Sequence, residues 1–254
     1  MKKKMVSRRL SVHNEHEFLL KMETAGLTEP LAQKVIDSKG NELAAKVVKF
    51  IQNGGFEPTT SQKRAREIMG KNMFGVEEAI QYFGVNPTRQ QTLVFSEIPF
   101  SEKMLQKVKD THVLVAVFPL SVLEIRKVDS NLFCDQSWYN KESFAERSET
   151  NWQLVRKTPV DNSTSKNWEE QLALIGEEDE VPTAQVMVYT IIGHYLATGE
   201  RLFEHIYVRT SSVISDGYRV NVGYFDSDGL DVDDDWDGHR FGSLGVSSAR
   251  KLKM

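Results

Sequence analysis

Residues 216–246 read DGYRVNVGYFDSDGLDVDDDWDGHRFGSLGV, and this stretch is the most unusual part of the chain. Seven aspartates fall within the twelve residues from Asp226 to Asp237, out of fourteen in the whole sequence. Such a run of like charges repels itself and does not favour compactness. Because Phe225, Leu230, Val232 and Trp236 interrupt the run, we interpret it as anchored in structure. A solvated acidic loop is the alternative.

Closely spaced aspartates are also typical of calcium-binding loops. Asp233, Asp235, Asp237 and Gly238 match the first half of an EF-hand loop. The twelfth position of that loop requires a bidentate glutamate, and here it is Leu244. We therefore predict no metal ligands, although the charge density alone leaves an adventitious or lectin-like divalent-ion site open.

The composition of residues 216–246 is restricted in a second way. The stretch contains no Glu, Lys or Gln, although the chain has 22 Glu and 19 Lys. Apart from Trp236 and a few apolar positions, it uses Asp, Ser, Gly, His, Arg, Tyr, Phe and Asn. These eight types can all be reached when the adenines of an asparagine codon are replaced at random. In this respect the stretch resembles the variable region of proteins diversified by diversity-generating retroelements.

The residues at the end of the chain strengthen this resemblance. The sequence LGVSSAR at 244–250 is similar to the invariant closing strand that follows the variable stretch in such proteins. The resemblance covers about residues 111–254 and implies a C-type-lectin-like fold, a compact and loop-rich α+β unit. It further implies a fixed scaffold that presents diversified side chains to a ligand.

Short polar and aromatic side chains suit such a role, since they give adaptable hydrogen bonds and aromatic contacts at low entropic cost. We therefore expect non-catalytic recognition of an unknown protein or other macromolecule, with a basic or polar partner favoured. Trp236 is interpreted as either a core anchor or a contact. The expected ligand-binding residues are Asp231, Asp233, Asp234, Asp235, Asp237, His239, Arg240 and Phe241, followed by Tyr224, Asp226 and Asp228.

The two parts of the chain differ in their hydrophobic patterns. Residues 1–95 show helical spacing of apolar residues between Gly and Pro breaks, which predicts an N-terminal helical domain. Residues 96–254 include a β-branched apolar run at 112–118 and a strong helix at 182–198. The predicted fold class is α+β, with the helical domain followed by a C-type-lectin-like mixed α/β domain.

Charge and cysteine content exclude several classes of protein. A formal charge of −4 argues against non-specific nucleic-acid binding as the main activity. The single cysteine, Cys134, can form neither an intrachain disulfide nor a Cys-based zinc site. No apolar stretch is long enough to span a bilayer, and the basic start MKKKM is not followed by the apolar core of a signal peptide. We therefore expect a cytoplasmic protein without a membrane partner.

An enzyme is a second hypothesis, and the sequence offers little for it. His194 lies within an apolar helical run, where a histidine is more often a core residue than an acid or base. Ser247 and Ser248 lack the Gly-x-Ser-x-Gly setting of a hydrolase nucleophile, and Gly-rich phosphate motifs are missing. We predict that the chain is not an enzyme and needs no cofactor.

Residues 76–91 suggest an alternative function. A helix at 76–83, a turn at 84–87 and a polar helix start at 88–91 are typical of a helix-turn-helix. In that case the N-terminal domain would bind DNA or act as an adaptor. An ordinary helical hairpin explains the same pattern, so nucleic-acid binding is left open.

Overall fold

The chain divides into two compact units, Met1–Glu57 and Pro58–Met254. The computed structural model describes residues 11–39, 42–52, 59–145 and 150–251. The sequence placed the domain boundary after residue 95, whereas the units divide at residue 57. The reason is that Ala65, Phe74 and Phe95 belong to the hydrophobic core of the second unit.

The first unit contains three helices: α1 (Val12–Thr24), α2 (Glu29–Ile36) and α3 (Glu42–Gln52). Ser11 caps α1 by accepting a hydrogen bond from the backbone N–H of Asn14. Pro30 lies in the first turn of α2, where its missing N–H costs nothing. Every side chain of this unit whose exposure is described is exposed or partly exposed.

The second unit mixes helices and strands, which confirms the predicted α+β class. Its helices are α4 (Gln62–Met69), α5 (Val76–Phe83), α6 (Arg89–Val94), α7 (Glu102–Val108), α8 (Val122–Arg126), α9 (Trp168–Leu172) and α10 (Ala184–Thr198). Its strands are β1 (Thr60–Ser61), β2 (Met73–Phe74), β3 (Glu97–Ile98), β4 (His112–Val117), β5 (Asn151–Arg156), β6 (Asp179–Glu180), β7 (Tyr207–Val213), β8 (Arg219–Asp226), β9 (Gly229–Asp235), β10 (Leu244–Val246) and β11 (Ala249–Arg250).

Helix α10 is the centre of this unit. Every residue from Ala184 to His194 is buried, because the helix packs on β2 and β4 on one side and on β7 and β8 on the other. A helix that is apolar all round must be covered on all sides. Thr183 caps its start, and Gly199 ends it in the left-handed conformation. Within the described ranges, no helix has the length and apolar composition needed to cross a bilayer.

Two main sheets enclose α10. One has the strand order β2-β4-β5-β11-β6, and its strand β4 is buried along its whole length. The other has the order β10-β7-β8-β9, in which β7, β8 and β9 are antiparallel neighbours and β10 is parallel to β7. The chain therefore returns after β9 to the opposite edge of the second sheet and then joins the first through β11.

The second sheet has two chemically different faces, because successive strand residues point to opposite sides. Val208, Val222 and Val232 are paired across β7, β8 and β9, and all three are buried. We call the side of the sheet that carries these valines the inner face. The opposite side, the outer face, carries the paired row Tyr207, Gly223 and Asp231.

Side chains cover part of the free edge of β9. The backbone N–H of Val232 donates to Gln136 Oε1 at 3.3 Å, and Trp138 Nε1 donates to the Val232 carbonyl oxygen at 3.1 Å. The backbone N–H of Cys134 donates to the Leu230 carbonyl oxygen at 3.1 Å. Residues 134–138 thus supply hydrogen bonds that an additional strand would otherwise make.

Candidate functional site

Strand β9 divides the acidic run between the two faces of its sheet. Asp231, Asp233 and Asp235 lie on the outer face, whereas Leu230 and Val232 are buried on the inner face. Asp234 falls on the inner face with the apolar residues. The centre of the run is therefore a strand, which holds four of the seven aspartates, and three of these carboxylates line up along one surface.

Asp231 is held by two neutral donors. Tyr207 donates its phenolic hydrogen to Oδ2, and the side-chain amide of Gln136 donates to Oδ1. Desolvation and these contacts with the Asp231 carboxylate raise the pKa of Tyr207. The ring of Tyr224 lies against that of Tyr207, with centroids 4.6 Å apart. Tyr224 has a φ of +45°, an uncommon conformation for a residue with a side chain, at a point where the β8–β9 register shifts.

Asp233 is exposed and has no side-chain partner among the described residues. Desolvation raises the pKa of Asp233 above its usual value, a hydrogen bond with the Asp234 backbone opposes that shift, and the charges of the neighbouring aspartates add to it. Directly opposite on β8 lies Asn221, which is only 3% exposed. Its Oδ1 atom is buried and accepts no hydrogen bond from the described residues. A buried acceptor without a donor is unfavourable by about 1–3 kcal/mol.

Three other predicted aspartates lie away from this row. Desolvation, together with the charges of Asp235, Asp216 and Glu142, raises the pKa of Asp234 on the inner face. Asp226 and Asp228 lie at the turn between β8 and β9, where Asp226 Oδ1 accepts a hydrogen bond of 2.9 Å from the Asp228 N–H. They form the hairpin end, whereas Asp231, Asp233 and Asp235 form the surface row.

The loop that follows β9 presents a row of rings. Trp236 is 58% exposed and Phe241 is 53% exposed. The His239 ring lies between them. Its centroid is 6.4 Å from that of Trp236, with the two rings stacked, and 5.7 Å from that of Phe241, with the two rings tilted. Its Nδ1 lies 2.6 Å from Asp235 Oδ2, which fixes the ring orientation. A Cβ on Gly238 would stand 2.1 Å from the Trp236 ring, so only glycine leaves room for this indole position.

Arg209 supports this loop from beneath. Its side chain has no exposed surface, and burial lowers its pKa while the charges of Asp235 and Asp237 oppose that shift. Nη2 donates to the carbonyl oxygens of Trp236 and His239 at 3.3 and 2.8 Å. Nη1 donates to the Lys166 carbonyl oxygen and to Gln171 Oε1, both at 3.1 Å. The loop therefore has a fixed backbone beneath its exposed rings.

An ion pair between Arg219 and Asp237 also fixes the loop to the sheet. The guanidinium donates two parallel hydrogen bonds of 2.8 and 3.0 Å to the carboxylate. It also lies 3.7 Å from the centre of the Trp168 ring. The backbone N–H of Trp168 in turn donates to the Asp237 carbonyl oxygen at 2.8 Å. Asp237, predicted as a ligand contact, is thus engaged within the protein.

The far side of the loop is tied to α9 and the turn before it. Arg240 pairs with Glu170 at 3.0 Å, and the Ser165 N–H donates to the Phe241 carbonyl oxygen at 2.9 Å. Both members of the Arg240–Glu170 pair are partly exposed, so the pair contributes little to stability. Arg240 is the one cation of the exposed loop surface between residues 236 and 243.

Most of the acidic side chains lack a cationic partner. Within the described residues, no Lys, Arg or His nitrogen lies within 4.0 Å of the carboxylates of Asp226, Asp228, Asp231, Asp233 or Asp234. Residues 216–246 contain eight aspartates and two arginines, a formal charge of −6, whereas the whole chain carries −4. The negative charge is therefore concentrated on this segment, and the remainder of the chain is slightly positive.

The structure thus brings together part of the predicted site. Asp231, Asp233, Asp235, His239 and Phe241 share one continuous surface, formed by the outer face and the 236–243 loop, which we call the acidic–aromatic surface. Asp237 and Arg240 occupy the same loop but are paired, while Tyr224 lies beside Tyr207 at the other end of the outer face. The sequence interpretation did not identify Tyr207, Arg209, Asn221 or Gln136. The first three are positioned by strand register, and Gln136 lies in the segment beside the free edge of β9.

The described residues contain no group of three or more His, Cys, Asp or Glu side chains arranged to hold a metal ion. Asp233 and Asp235, which matched a calcium loop in sequence, belong to a strand, and Leu244 is buried.

His194, the residue considered for catalysis, is fully buried in α10. Its Nε2 lies 3.5 Å from Glu200 Oε2, and burial lowers the pKa of His194. Glu200 also pairs with Lys157 at 2.6 Å and Lys71 at 2.8 Å, and these hydrogen bonds lower its pKa to about 2. Glu200 is thus paired with two lysines in this cluster, whereas His194 Nε2 makes no hydrogen bond with the described residues.

The segment considered for DNA binding forms two helices. Helix α5 buries Ala79 and Phe83 and ends at Gly84, which is left-handed. Helix α6 begins with a capping box between Thr88 and Gln91, has six residues and buries none of them. Its exposed side chains include Leu93 and Val94. The helix-turn-helix function stays a prediction.

Comparison with known proteins identifies no relative: no family model matches the chain, and neither a curated protein nor a solved structure matches it significantly.

Proposed function

We propose that this chain is a non-catalytic binding protein that recognises a macromolecule through the acidic–aromatic surface. The observation that carries the proposal is the pair Trp236 and Phe241, both more than half exposed on a loop whose backbone is fastened by the buried Arg209. Large aromatic side chains on a rigid backbone are typical of binding hot spots. The exposed parts of these two rings gain nothing from folding and are open to a ligand.

We further propose that residues 96–254 form a C-type-lectin-like scaffold and that residues 216–246 are diversified by a retroelement. Two observations support this proposal: the restricted set of residue types in the segment, and the separation of its apolar and polar side chains between the two faces of β9. Leu230 and Val232 pack inward, while Asp231, Asp233 and Asp235 and the exposed rings of the following loop lie outward. A reverse transcriptase gene and an imperfect template repeat beside the coding sequence would support this origin, and their absence from the neighbourhood would contradict it.

We also propose a cytoplasmic location. Cys134 is a free, partly buried thiol, which fits a reducing compartment.

Binding can be tested with a library of displayed random peptides selected on the full chain. The double variant Trp236→Ala/Phe241→Ala should lose binding to most selected peptides, because it removes both exposed anchors. Leu93→Ala removes an exposed apolar side chain on α6 and should leave binding unchanged. Selected peptides that bind the double variant as tightly as the native chain would contradict the proposed surface.

A further inference from the structure

The chemistry of the outer face points to one kind of ligand group. It carries carboxylates at 231 and 233 that have no cationic partner among the described residues, and a buried acceptor, Asn221 Oδ1, that has no donor there. Because Asn221 is paired with Asp233 across β8 and β9, their side chains share the outer face. All three groups accept hydrogen bonds, and none of them can be satisfied by another acceptor.

We propose that the acidic–aromatic surface binds an arginine side chain of a protein partner, seated on Asp231 and Asp233 next to Asn221. This inference rests on the proposed function and names the chemistry of its ligand. A guanidinium carries five N–H donors and one positive charge. Arg209 lies on the same row of the face, but its Nη atoms donate to the 236–243 loop, Lys166 and Gln171, so Asp231, Asp233 and Asn221 Oδ1 are left for a guanidinium from outside.

The spacing of the two carboxylates suits a planar, multiply donating cation. Residues two apart on one strand face are separated by roughly 6.6 Å, at about 3.3 Å per residue. A guanidinium between them donates to both carboxylates, whereas an ammonium is a compact point charge. Asp231 is already oriented by Tyr207 and Gln136, each of which occupies one lone pair and leaves others free.

Aromatic rings at both ends of the face favour the same partner. Tyr207 and Tyr224 lie beside Asp231, and His239 lies beside Asp235. Arginine stacks on aromatic faces in addition to pairing with carboxylates. The surplus of negative charge on the segment also attracts a basic surface during encounter.

The proposal also explains why the carboxylates at 231 and 233 are tolerated. Burial first, and then repulsion by Asp231, Asp234 and Asp235, raises the pKa of Asp233, so its carboxylate weakens the unliganded protein. A bound cation removes that repulsion. The unfavourable charge arrangement of the free protein thus becomes favourable only in the complex.

The test uses two peptides, Gly-Ser-Gly-Arg-Gly-Ser-Gly and the same sequence with citrulline, which has nearly the same shape but no charge. Each is titrated into the full chain at low salt, and binding is followed by amide chemical shifts. The arginine peptide should bind and shift residues of β8 and β9, and the citrulline peptide should bind about tenfold more weakly, because a charge-assisted hydrogen bond is lost.

Asp233→Asn should weaken binding of the arginine peptide by about tenfold, since it removes the unpaired carboxylate while keeping the side-chain shape. Asp216→Asn removes the same formal charge from the β7–β8 turn and should change the affinity less than twofold, roughly as expected for a screened distant charge. Equal affinities for the two peptides, or equal losses in the two variants, would overturn the proposal. In a separate outcome, displayed peptides lose binding to the Trp236→Ala/Phe241→Ala variant and yet bind Asp233→Asn as tightly as the native chain. That result would contradict the arginine proposal and would still support the binding function.

Discussion

The Nη2 atom of Arg209 donates a hydrogen bond of 2.8 Å to the main-chain carbonyl oxygen of His239, and this bond links the buried centre of the second sheet to its most exposed loop. The arginine side chain is completely buried, whereas the His239 ring is part of the surface row. A charged group is unfavourable in such a position unless its donors are satisfied. The Nη atoms of Arg209 donate to four acceptors, two of which belong to the loop, while its Nε makes no hydrogen bond with the described residues.

Replacing Arg209 with methionine should lower the free energy of unfolding by about 3 kcal/mol, because buried carbonyl oxygens lose charged donors. The loss can be measured by urea denaturation. Arg240→Met is the matched control on the same loop and should cost less than about 0.5 kcal/mol, since its ion pair with Glu170 is partly exposed. Similar losses in the two variants would contradict a supporting role for Arg209.

The bidentate pair between Arg219 and Asp237 should contribute to stability. Asp237→Asn is expected to lower the free energy of unfolding by about 1–2 kcal/mol, because a charge-assisted fork becomes a weaker neutral contact. A double-mutant cycle with Arg219→Gln should give a coupling energy of about 1 kcal/mol. Asp228→Asn, which removes an exposed hairpin aspartate, should show no coupling to Arg219. A coupling near zero for Asp237 would contradict the prediction.

The carboxylate of Asp233, unlike that of Asp237, should lower the stability of the folded protein at neutral pH. Its pKa is raised in the folded protein, so the folded state binds the proton more tightly than the unfolded state, and stability falls as pH rises through the raised pKa. At pH 7, Asp233→Asn should therefore increase the free energy of unfolding by a few tenths to about 1 kcal/mol.

This gain can be followed by thermal melting at several pH values. It should disappear below the ordinary aspartate pKa, where the native carboxyl is protonated in both states, and it should shrink at high salt. A destabilised Asp233→Asn protein at pH 7 would contradict the repulsion that we infer along β9.

His112 should make the fold sensitive to mild acid. It is buried in β4, and desolvation, followed by the charges of Arg250 and Arg156, lowers its pKa to about 4. Since the folded state resists protonation, stability is full above the ordinary histidine pKa of about 6.5 and falls as pH drops toward 4.

His112→Gln should flatten that part of the pH profile. The native chain should lose roughly 3 kcal/mol more than the variant between about pH 7 and pH 4, because each pKa unit corresponds to about 1.4 kcal/mol. Urea denaturation at a series of pH values gives both profiles. Parallel profiles over this range would show that His112 is not a source of the acid sensitivity.

The elements that sequence predicted well are those with a simple apolar signal. The run at 112–118 became β4, and the apolar segment from residue 182 became α10, because continuous hydrophobic stretches can only be buried. The helix predicted at Val76–Phe83 has the same bounds in the structure, since Gly84 gives a local stop signal.

Strand β9 was not predicted from the sequence. Aspartate is depleted in strands, and four of the seven residues from Gly229 to Asp235 are aspartates. Only Leu230 and Val232 carry the alternating signal, which is too short to stand out against the charges. The strand forms because pairing with β8 and burial of those two side chains outweigh local preference.

The supporting residues of the site were beyond sequence reasoning for a different reason. Arg209 and Asn221 matter because they are neighbours across β7 and β8, and this register is set by contacts distant in sequence. The exposure of Trp236 was likewise left undecided, since tryptophan serves both as a core anchor and as a contact. Its position depends on the absence of a side chain at Gly238.

The cover that Gln136 and Trp138 place over the edge of β9 has a consequence for the evolution of this surface. An open edge with exposed N–H and C=O groups is a template for strands from other chains, and proteins protect such edges with charged side chains or by covering them. Here the N–H and C=O of Val232 are already occupied. Because these two edge groups are bonded by residues 136 and 138, the side chains on the outer face of β9 can change without uncovering them, and the chemistry of the face is separate from the protection of the edge.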